Sequence, residues 1–158
     1  MYSLTIMSKS KNIEFMEVAI KQAISAAEHG EVPVGAVLVV NEKIIAKAGN
    51  RPVSGSDPTA HAEIIALRKG ARQLNNYRLP GSTLYVTLEP CPMCVGAMLH
   101  ARITEVVFGA TDPKTGALIS KYHMGRDGRS NHILAVTGGI LAEQCGRLLK
   151  DFFANRRK

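Results

Sequence analysis

The chain has 158 residues, 46% of them hydrophobic, which is the size of one ordinary domain with enough apolar side chains for a sizeable core. Its net charge of +7 and isoelectric point of about 9.5 fit a polyanionic partner such as nucleic acid, or an acidic membrane surface. No apolar run approaches the roughly 18 residues that span a bilayer, and residues 1–12 are too short and polar for a secretory signal. Three cysteines are an odd count, which argues against a full disulfide framework. Two of them lie close together, which in a reducing compartment points to metal or redox use, with the cytoplasm as the default location. No repeat, low-complexity tract or Pro/Ser-rich linker divides the chain. One domain over residues 1–158 is expected, with a flexible N-terminal segment at 1–10 and Met7 as an alternative start.

Met16, Ala19, Ile20, Ala23, Ile24 and Ala27 recur at helical spacing and predict a first helix that Gly30 can stop. Val32 to Val40 is a nearly continuous apolar run rich in β-branched residues and reads as a buried strand. Asn41-Glu42 can turn it into a second strand over Lys43 to Ala48. After a loop over Gly49 to Ser56, Asp57-Pro58 offers an N-cap and a proline at the first helical position. A second helix is expected from there, carrying Ile64, Ile65, Leu67 and Leu74. Pro80-Gly81 marks a turn, Thr83 to Leu88 a third strand, and Pro90 to Ala101 a helix entered through Cys-Pro. Thr104 to Phe108 is a fourth strand. Residues 110–131 are polar and glycine-bearing, with Lys114, Lys121, Arg126 and Arg129, and leave room for a short helix. Ile133 to Val136 is a fifth strand. Leu141, Cys145, Leu148, Leu149 and Phe152 form one face of a C-terminal helix ending in Arg156, Arg157 and Lys158. Alternating strands and helices predict an α/β sandwich with helices on both sheet faces. A connection of about 24 residues between strands four and five suits a parallel crossover.

The segments that carry chemistry are Thr59-Ala60-His61-Ala62-Glu63 and Glu89-Pro90-Cys91-Pro92-Met93-Cys94. Cys91 and Cys94 are three apart and share one face of a helical turn. The partial positive charge of a helix N-terminus favours their thiolate form, the form that binds zinc. His61, in the first turn of its own helix, can supply a neutral nitrogen as third ligand. Structural zinc sites are closed by four protein ligands, whereas catalytic ones keep a position for water. The spare cysteine, Cys145, falls on the apolar face of the distant C-terminal helix and reads as a small buried hydrophobe. The fourth position is therefore expected to hold water, whose pKa zinc lowers to about 7. Hydroxide attack on an amidine-like carbon also needs a proton carrier, and Glu63 can take the proton and return it to the ring nitrogen and the leaving amine. Two positions from His61 on a regular helix, the Glu63 side chain points away from the ligand's face and must reach the site from the helix end.

Alone, C-x-x-C fits a redox pair, half a zinc finger or chance. H-x-E followed by P-C-x-x-C, with the second segment opening a helix after a strand, is the known signature of the zinc deaminases of nucleobases.

The chain resembles the family of bacterial tRNA-specific adenosine deaminases, within the cytidine/deoxycytidylate deaminase-like superfamily. The likeness runs from about Phe15 to Arg157 and is carried by VPVGAVLV, GNRP, DPTAHAE, NYRL, TLYVTLEPC, MCVGAM, VVFGA, D-x-K-T-G and DFF-x-x-RR. It implies a cytidine deaminase-like three-layer sandwich with a five-stranded mixed sheet, one Zn²⁺ per subunit, and a homodimer. The implied reaction is hydrolysis of adenosine to inosine at the wobble position of a tRNA anticodon, arginine tRNA foremost, with hydroxide attacking C6. By position it implies His61, Cys91 and Cys94 as zinc ligands and Glu63 as proton shuttle. Asn50 would hydrogen-bond the target base, Ala62 would offer backbone atoms to it, and Asp112 would lie near the neighbouring sugar. Phe152, Phe153, Arg156 and Arg157 would contact the anticodon loop. Plainer readings stand beside these: Asn50 and Asp112 as turn residues, Phe152 as core, and the basic end as a solvated helix terminus.

Residues 120–130 (SKYHMGRDGRS) depart from the family pattern, and Pro92 is shared with free-base deaminases. Two other activities therefore stay open. One is a deaminase of free purine or pyrimidine bases or nucleosides, of guanine or cytosine type. The other is a zinc-stabilised RNA-binding module without catalysis.

Overall fold

The computed structural model describes residues 8–156, so Arg157 and the segment 1–7 lie outside the described residues. Helix α1 (Lys9–Glu28) is opened by Ser8, whose hydroxyl accepts from the Lys11 N–H, and closes ahead of Gly30 at φ +78°. Strands β1 (Gly35–Val40) and β2 (Lys43–Gly49) form a hairpin. Its corner residues Asn41 and Glu42 both hold positive φ, 51° and 61°, the tight-turn geometry that matches strand twist. Then follow α2 (Ala62–Leu74), β3 (Ser82–Leu88), α3 (Pro92–Ala101), β4 (Glu105–Ala110), β5 (Ala135–Thr137) and α4 (Ala142–Arg156). Among the described residues no helix is long and apolar enough to cross a membrane.

The five strands make one mixed sheet in the order β2-β1-β3-β4-β5. β1 runs antiparallel to both β2 and β3, while β3, β4 and β5 are parallel. Gly35 of β1 pairs with Gly49 of β2, Ala36 with Val86, and Leu88 with Ala110. The C-terminal ends of β2, β3 and β4 therefore meet at one edge of the sheet. The loops leaving them, at Asn50, Glu89 and Asp112, start side by side. Crevices at the carboxyl ends of strands are where open α/β sheets bind ligands.

Each sheet face is covered by two helices. On one face Phe15, Met16, Ala19 and Ile20 of α1 and Cys145 of α4 pack with Val37, Val39, Tyr85 and Val107. On the other, Ile64, Ala66 and Leu67 of α2 and Val95 and Met98 of α3 pack with Leu38, Leu84, Val86 and Val106. Tyr85 donates its hydroxyl to Asn12 Oδ1 at 2.8 Å, so the polar group that α1 buries is satisfied.

Two expectations are corrected. The second helix starts at Ala62, not at Pro58. Asp57 Oδ1 accepts from the Thr59 N–H and hydroxyl, both at 2.8 Å, which closes a local turn ahead of the helix. The loop between β4 and β5 holds turns and no helix. The amides of Asp112, Leu118, Ile119 and Ser120 bind a carboxylate from outside the loop instead of carbonyls four residues back.

α1 lies against β1 at Gly35, where an added Cβ would stand 1.9 Å from the Ala19 carbonyl oxygen and 2.6 Å from the Ala23 nitrogen. Both neighbours are backbone and cannot swing away. Gly35→Ala is expected to cost about 3 kcal/mol or more in urea unfolding. Gly146→Ala in α4, where a Cβ meets nothing within 4 Å, is expected to be neutral or stabilising by up to about 1 kcal/mol.

Candidate active site

α2 and α3 begin close together at the edge where β2 and β3 end. His61 is the N-cap of α2 and Cys91 the N-cap of α3, both extended and neither with a capping side-chain hydrogen bond. Their side chains are turned instead toward each other. His61 Nδ1 lies 3.6 Å from Cys91 Sγ and 3.4 Å from Cys94 Sγ, and the three donor atoms all fall within 4.8 Å of one another. An ion at zinc's usual distances from nitrogen and sulfur, at tetrahedral angles, sets an N···S separation of about 3.5 Å. The edges of this group therefore have the length a zinc ion requires. Among the described residues the group offers three protein donors, which leaves one tetrahedral position for a non-protein ligand.

The pair of thiols is strongly coupled. Hydrogen bonding from Cys94 and His61 pulls Cys91 down to about 4, against the effect of burial. Cys94 is pushed up by its bond to Cys91 and by burial.

Glu63 is the second residue of α2 and only 3% exposed. Burial raises its carboxyl above the ordinary carboxylate range, and the charge of His61 and contact with Cys94 draw it partly back. The expectation that Glu63 faces away from His61 assumed both lay on regular helix. His61 has ψ 150° and precedes the helix, so that projection does not apply. Asn50, just after β2, is buried, and its Oδ1 accepts from the Ala62 N–H at 2.8 Å. Asn50 and Ala62 are therefore brought together beside His61 and Glu63.

Asp112 sits at the rim beyond β4. Its Oδ1 accepts from the Lys114 and Thr115 N–H groups and its Oδ2 from the Thr115 hydroxyl. The turn-residue reading describes these bonds. In α4, Phe152 is half-buried, with the Arg156 guanidinium 4.5 Å from its ring centroid. Arg156 also donates to the Gly30 carbonyl at 2.6 Å, so it ties the end of α4 to the turn after α1. Phe153 is 45% exposed and packs edge-on to Phe152.

Sequence reasoning missed two buried acids. Glu31 accepts from the Val53 and Ser54 N–H groups at 3.1 and 2.7 Å and so holds the loop that follows Asn50. Glu89 accepts from four backbone amides and the Ser120 hydroxyl. The available signal was a lone acid inside an apolar stretch: Glu31 before Val32, Glu89 between Leu88 and Pro90.

The description of the cytidine and deoxycytidylate deaminase zinc-binding region matches residues 9–110, which include all three donors and Glu63. The tRNA-specific adenosine deaminase of Haemophilus influenzae is 55% identical over 92% of this chain and 84% of that protein. The chain belongs to the cytidine and deoxycytidylate deaminase family, in the branch of the tRNA-specific adenosine deaminases. A solved structure from work on A-to-I editing by tRNA:A34 deaminases at the wobble position of transfer RNA superposes with TM-score 0.84 at 44% identity. That likeness covers 86% of this chain and 99% of the other. Guanine deaminase from Bacillus subtilis superposes with TM-score 0.61 at 40% identity, over 62% of this chain and 63% of its own. In a member of this deaminase family the His61–Cys91–Cys94 group fits zinc.

Two measurements follow. The purified protein is expected to carry zinc in equimolar amount, Cys91→Ala to lose it, and a chelator to lower the melting temperature. Retention of full metal content by Cys91→Ala would remove that residue from the site. For Glu31, burial raises the carboxyl, but the bonds from Ser54 and Val53 and the charge of Arg51 bring it below its ordinary value. Its contribution to stability is then complete above the ordinary carboxylate value of about 4.3. It is lost as pH falls from there through the lower folded value, because the unfolded chain takes up the proton first. Urea midpoints followed across this range should drop more steeply for the wild type than for Glu31→Gln. Parallel curves would deny Glu31 that role.

Proposed function

We propose that this chain converts adenosine to inosine at the wobble position of a tRNA anticodon, consuming one water and releasing ammonia. The observation that carries the reading is a buried glutamate, Glu63, beside a zinc-fitting group with only three protein donors. When bound there, zinc supplies Lewis-acid activation of water at neutral pH.

Glu63 takes the proton of the attacking water on its carboxylate. It delivers protons to N1 of the adenine ring and to the departing N6 amine. Its raised proton affinity suits a group that must both accept and return a proton. Asn50 has its Oδ1 committed to Ala62, which leaves Nδ2 as a donor toward an acceptor on the base. Phe153 offers an exposed ring on which a loop base can stack. Arg156 is read as the anchor of α4, because its guanidinium is engaged by Phe152 and Gly30. Asp112 lies at the rim, where it can meet the sugar beside the flipped base. The basic charge of the chain supports a nucleic-acid substrate. Arginine tRNA is the substrate and a second copy of the chain the partner in this reading, with the cytoplasm as the site of action.

The test is inosine formation on a synthetic arginine anticodon stem-loop with adenosine at the wobble position, run beside free adenosine, cytidine and guanine. Conversion of the stem-loop is expected. Conversion of a free base alone would keep the zinc chemistry and remove the tRNA substrate. Glu63→Ala should retain zinc and lose about 10²–10⁴-fold in kcat or more. Full turnover in that variant would point to the non-catalytic alternative.

A further inference from the structure

Glu89 is 2% exposed, and the hydrogen bonds of its carboxylate go to none of His61, Cys91, Cys94, Asn50 or Ala62. Its backbone N–H extends the β3–β4 ladder to the Ala110 carbonyl at 2.8 Å, which fixes where the side chain starts. Oε1 then accepts from the Asp112 N–H at 3.1 Å and from the Ser120 hydroxyl. Oε2 accepts from the N–H groups of Leu118, Ile119 and Ser120 at 3.2, 2.9 and 3.0 Å. An ionised carboxylate is acceptor-only, with about four lone-pair sites, so this one is saturated by donors. All of them come from one loop. The loop also closes against the metal-bearing turn through the Ala117 N–H on the Pro90 carbonyl at 2.9 Å. At Gly116 the loop approaches so near that an added Cβ would lie 2.4–2.5 Å from the Glu89 carboxyl atoms.

We propose that Glu89 is a positioning residue for the RNA. Its carboxylate locks the loop over 112–120 onto the turn that presents Cys91, and so fixes Asp112 at the rim relative to the metal group. This rests on the reading above that the chain deaminates adenosine in tRNA. The consequence is a division of labour. Glu63 governs the chemical step, while Glu89 sets how well the RNA is held, because its bonds go to the loop that carries Asp112. Glutamine has the same shape but replaces one acceptor oxygen by an NH₂ donor. That donor faces N–H groups whichever way the amide is turned, so Glu89→Gln breaks the lock while leaving the volume unchanged.

The experiment uses zinc-loaded full-length protein and the arginine stem-loop, with hydrogen exchange measured on the same samples. Glu89→Gln is expected to keep its zinc and to exchange the amides of Asp112, Leu118, Ile119 and Ser120 faster than wild type. KM for the stem-loop should rise about tenfold, equivalent to about 1.4 kcal/mol, with kcat nearly unchanged. Ser120→Ala removes one hydroxyl donor and leaves the carboxylate in place. It should shift KM and exchange in the same direction by less, and it decides the matter if Glu89→Gln does not fold. Unchanged exchange at these amides overturns the lock. A fall in kcat with KM unchanged, zinc being retained, overturns the positioning role. If wild type fails to convert the stem-loop, the functional reading falls and this inference falls with it as a statement about RNA. The exchange data would still report whether Glu89 holds the loop.

Discussion

The structure depends on one juxtaposition: two helices on the same sheet face begin close together, and the side chains of the residues before them, His61 and Cys91, approach to 3.6 Å. His61 and Cys91 occupy N-cap positions, where a serine or aspartate would ordinarily satisfy the first free amides. Neither side chain caps. Two helix N-termini aimed at one point also bring like partial charges together. Two thiolates relieve that repulsion, and a divalent ion balanced by them restores near neutrality. Burial favours the neutral form of Glu63, while a backbone amide bond, the charge of His61 and the bond from Cys94 favour the anionic one.

Sheet topology converts that local arrangement into a site with sides. Because β1 is antiparallel to β2 and β3 while β3 and β4 are parallel, the loops leaving β2, β3 and β4 all emerge at the edge where the metal group lies. Each flanking loop is held by a buried acid rooted in a neighbouring segment. Glu31, before β1, holds Val53 and Ser54, and Glu89, after β3, holds residues 112 to 120. Burying a carboxylate is costly unless hydrogen bonds compensate it. In both, burial raises the carboxyl and the amide bonds more than reverse it. Irregular loops are thereby ordered without helices or strands of their own.

What the sequence made legible follows from distance along the chain. The metal group could be read because Cys91 and Cys94 announce their own geometry and His61-x-Glu63 accompanies them, and the five strands could be read from β-branched runs bounded by turn residues. The start of α2 was misread because Asp57-Pro58 has the form of a helix opening, while the true N-cap, His61, is a poor capping residue whose side chain turns toward Cys91 and Cys94 instead. Local rules failed where a functional demand displaced the local optimum. The partners of Glu89 could not be read from its neighbours, because they lie 23 to 31 residues away. The second partner of Arg156 was equally hidden, since a basic terminus shows no partner in sequence. Its bond to Gly30 spans 126 residues and exists only in the fold.

The missing cap of α2 has a substitute, and the substitute bears on how the site recognises a base. Asn50, twelve residues upstream, supplies its Oδ1 to the Ala62 N–H. The amide that would donate to the base is thus also the cap of the helix that carries Glu63 and follows His61. Displacing Asn50 would free the first turn of α2 and move the acid and one metal donor with it. Asn50, the start of α2 and the His61 that precedes it are therefore tied together by this one bond. A rigid site gains rate by holding the reacting atoms in place before the substrate arrives. It leaves the conformational work to the substrate, which must unstack one base and present it to a fixed crevice. An anticodon loop, whose bases are already unpaired, meets that demand at lower cost than a duplex would.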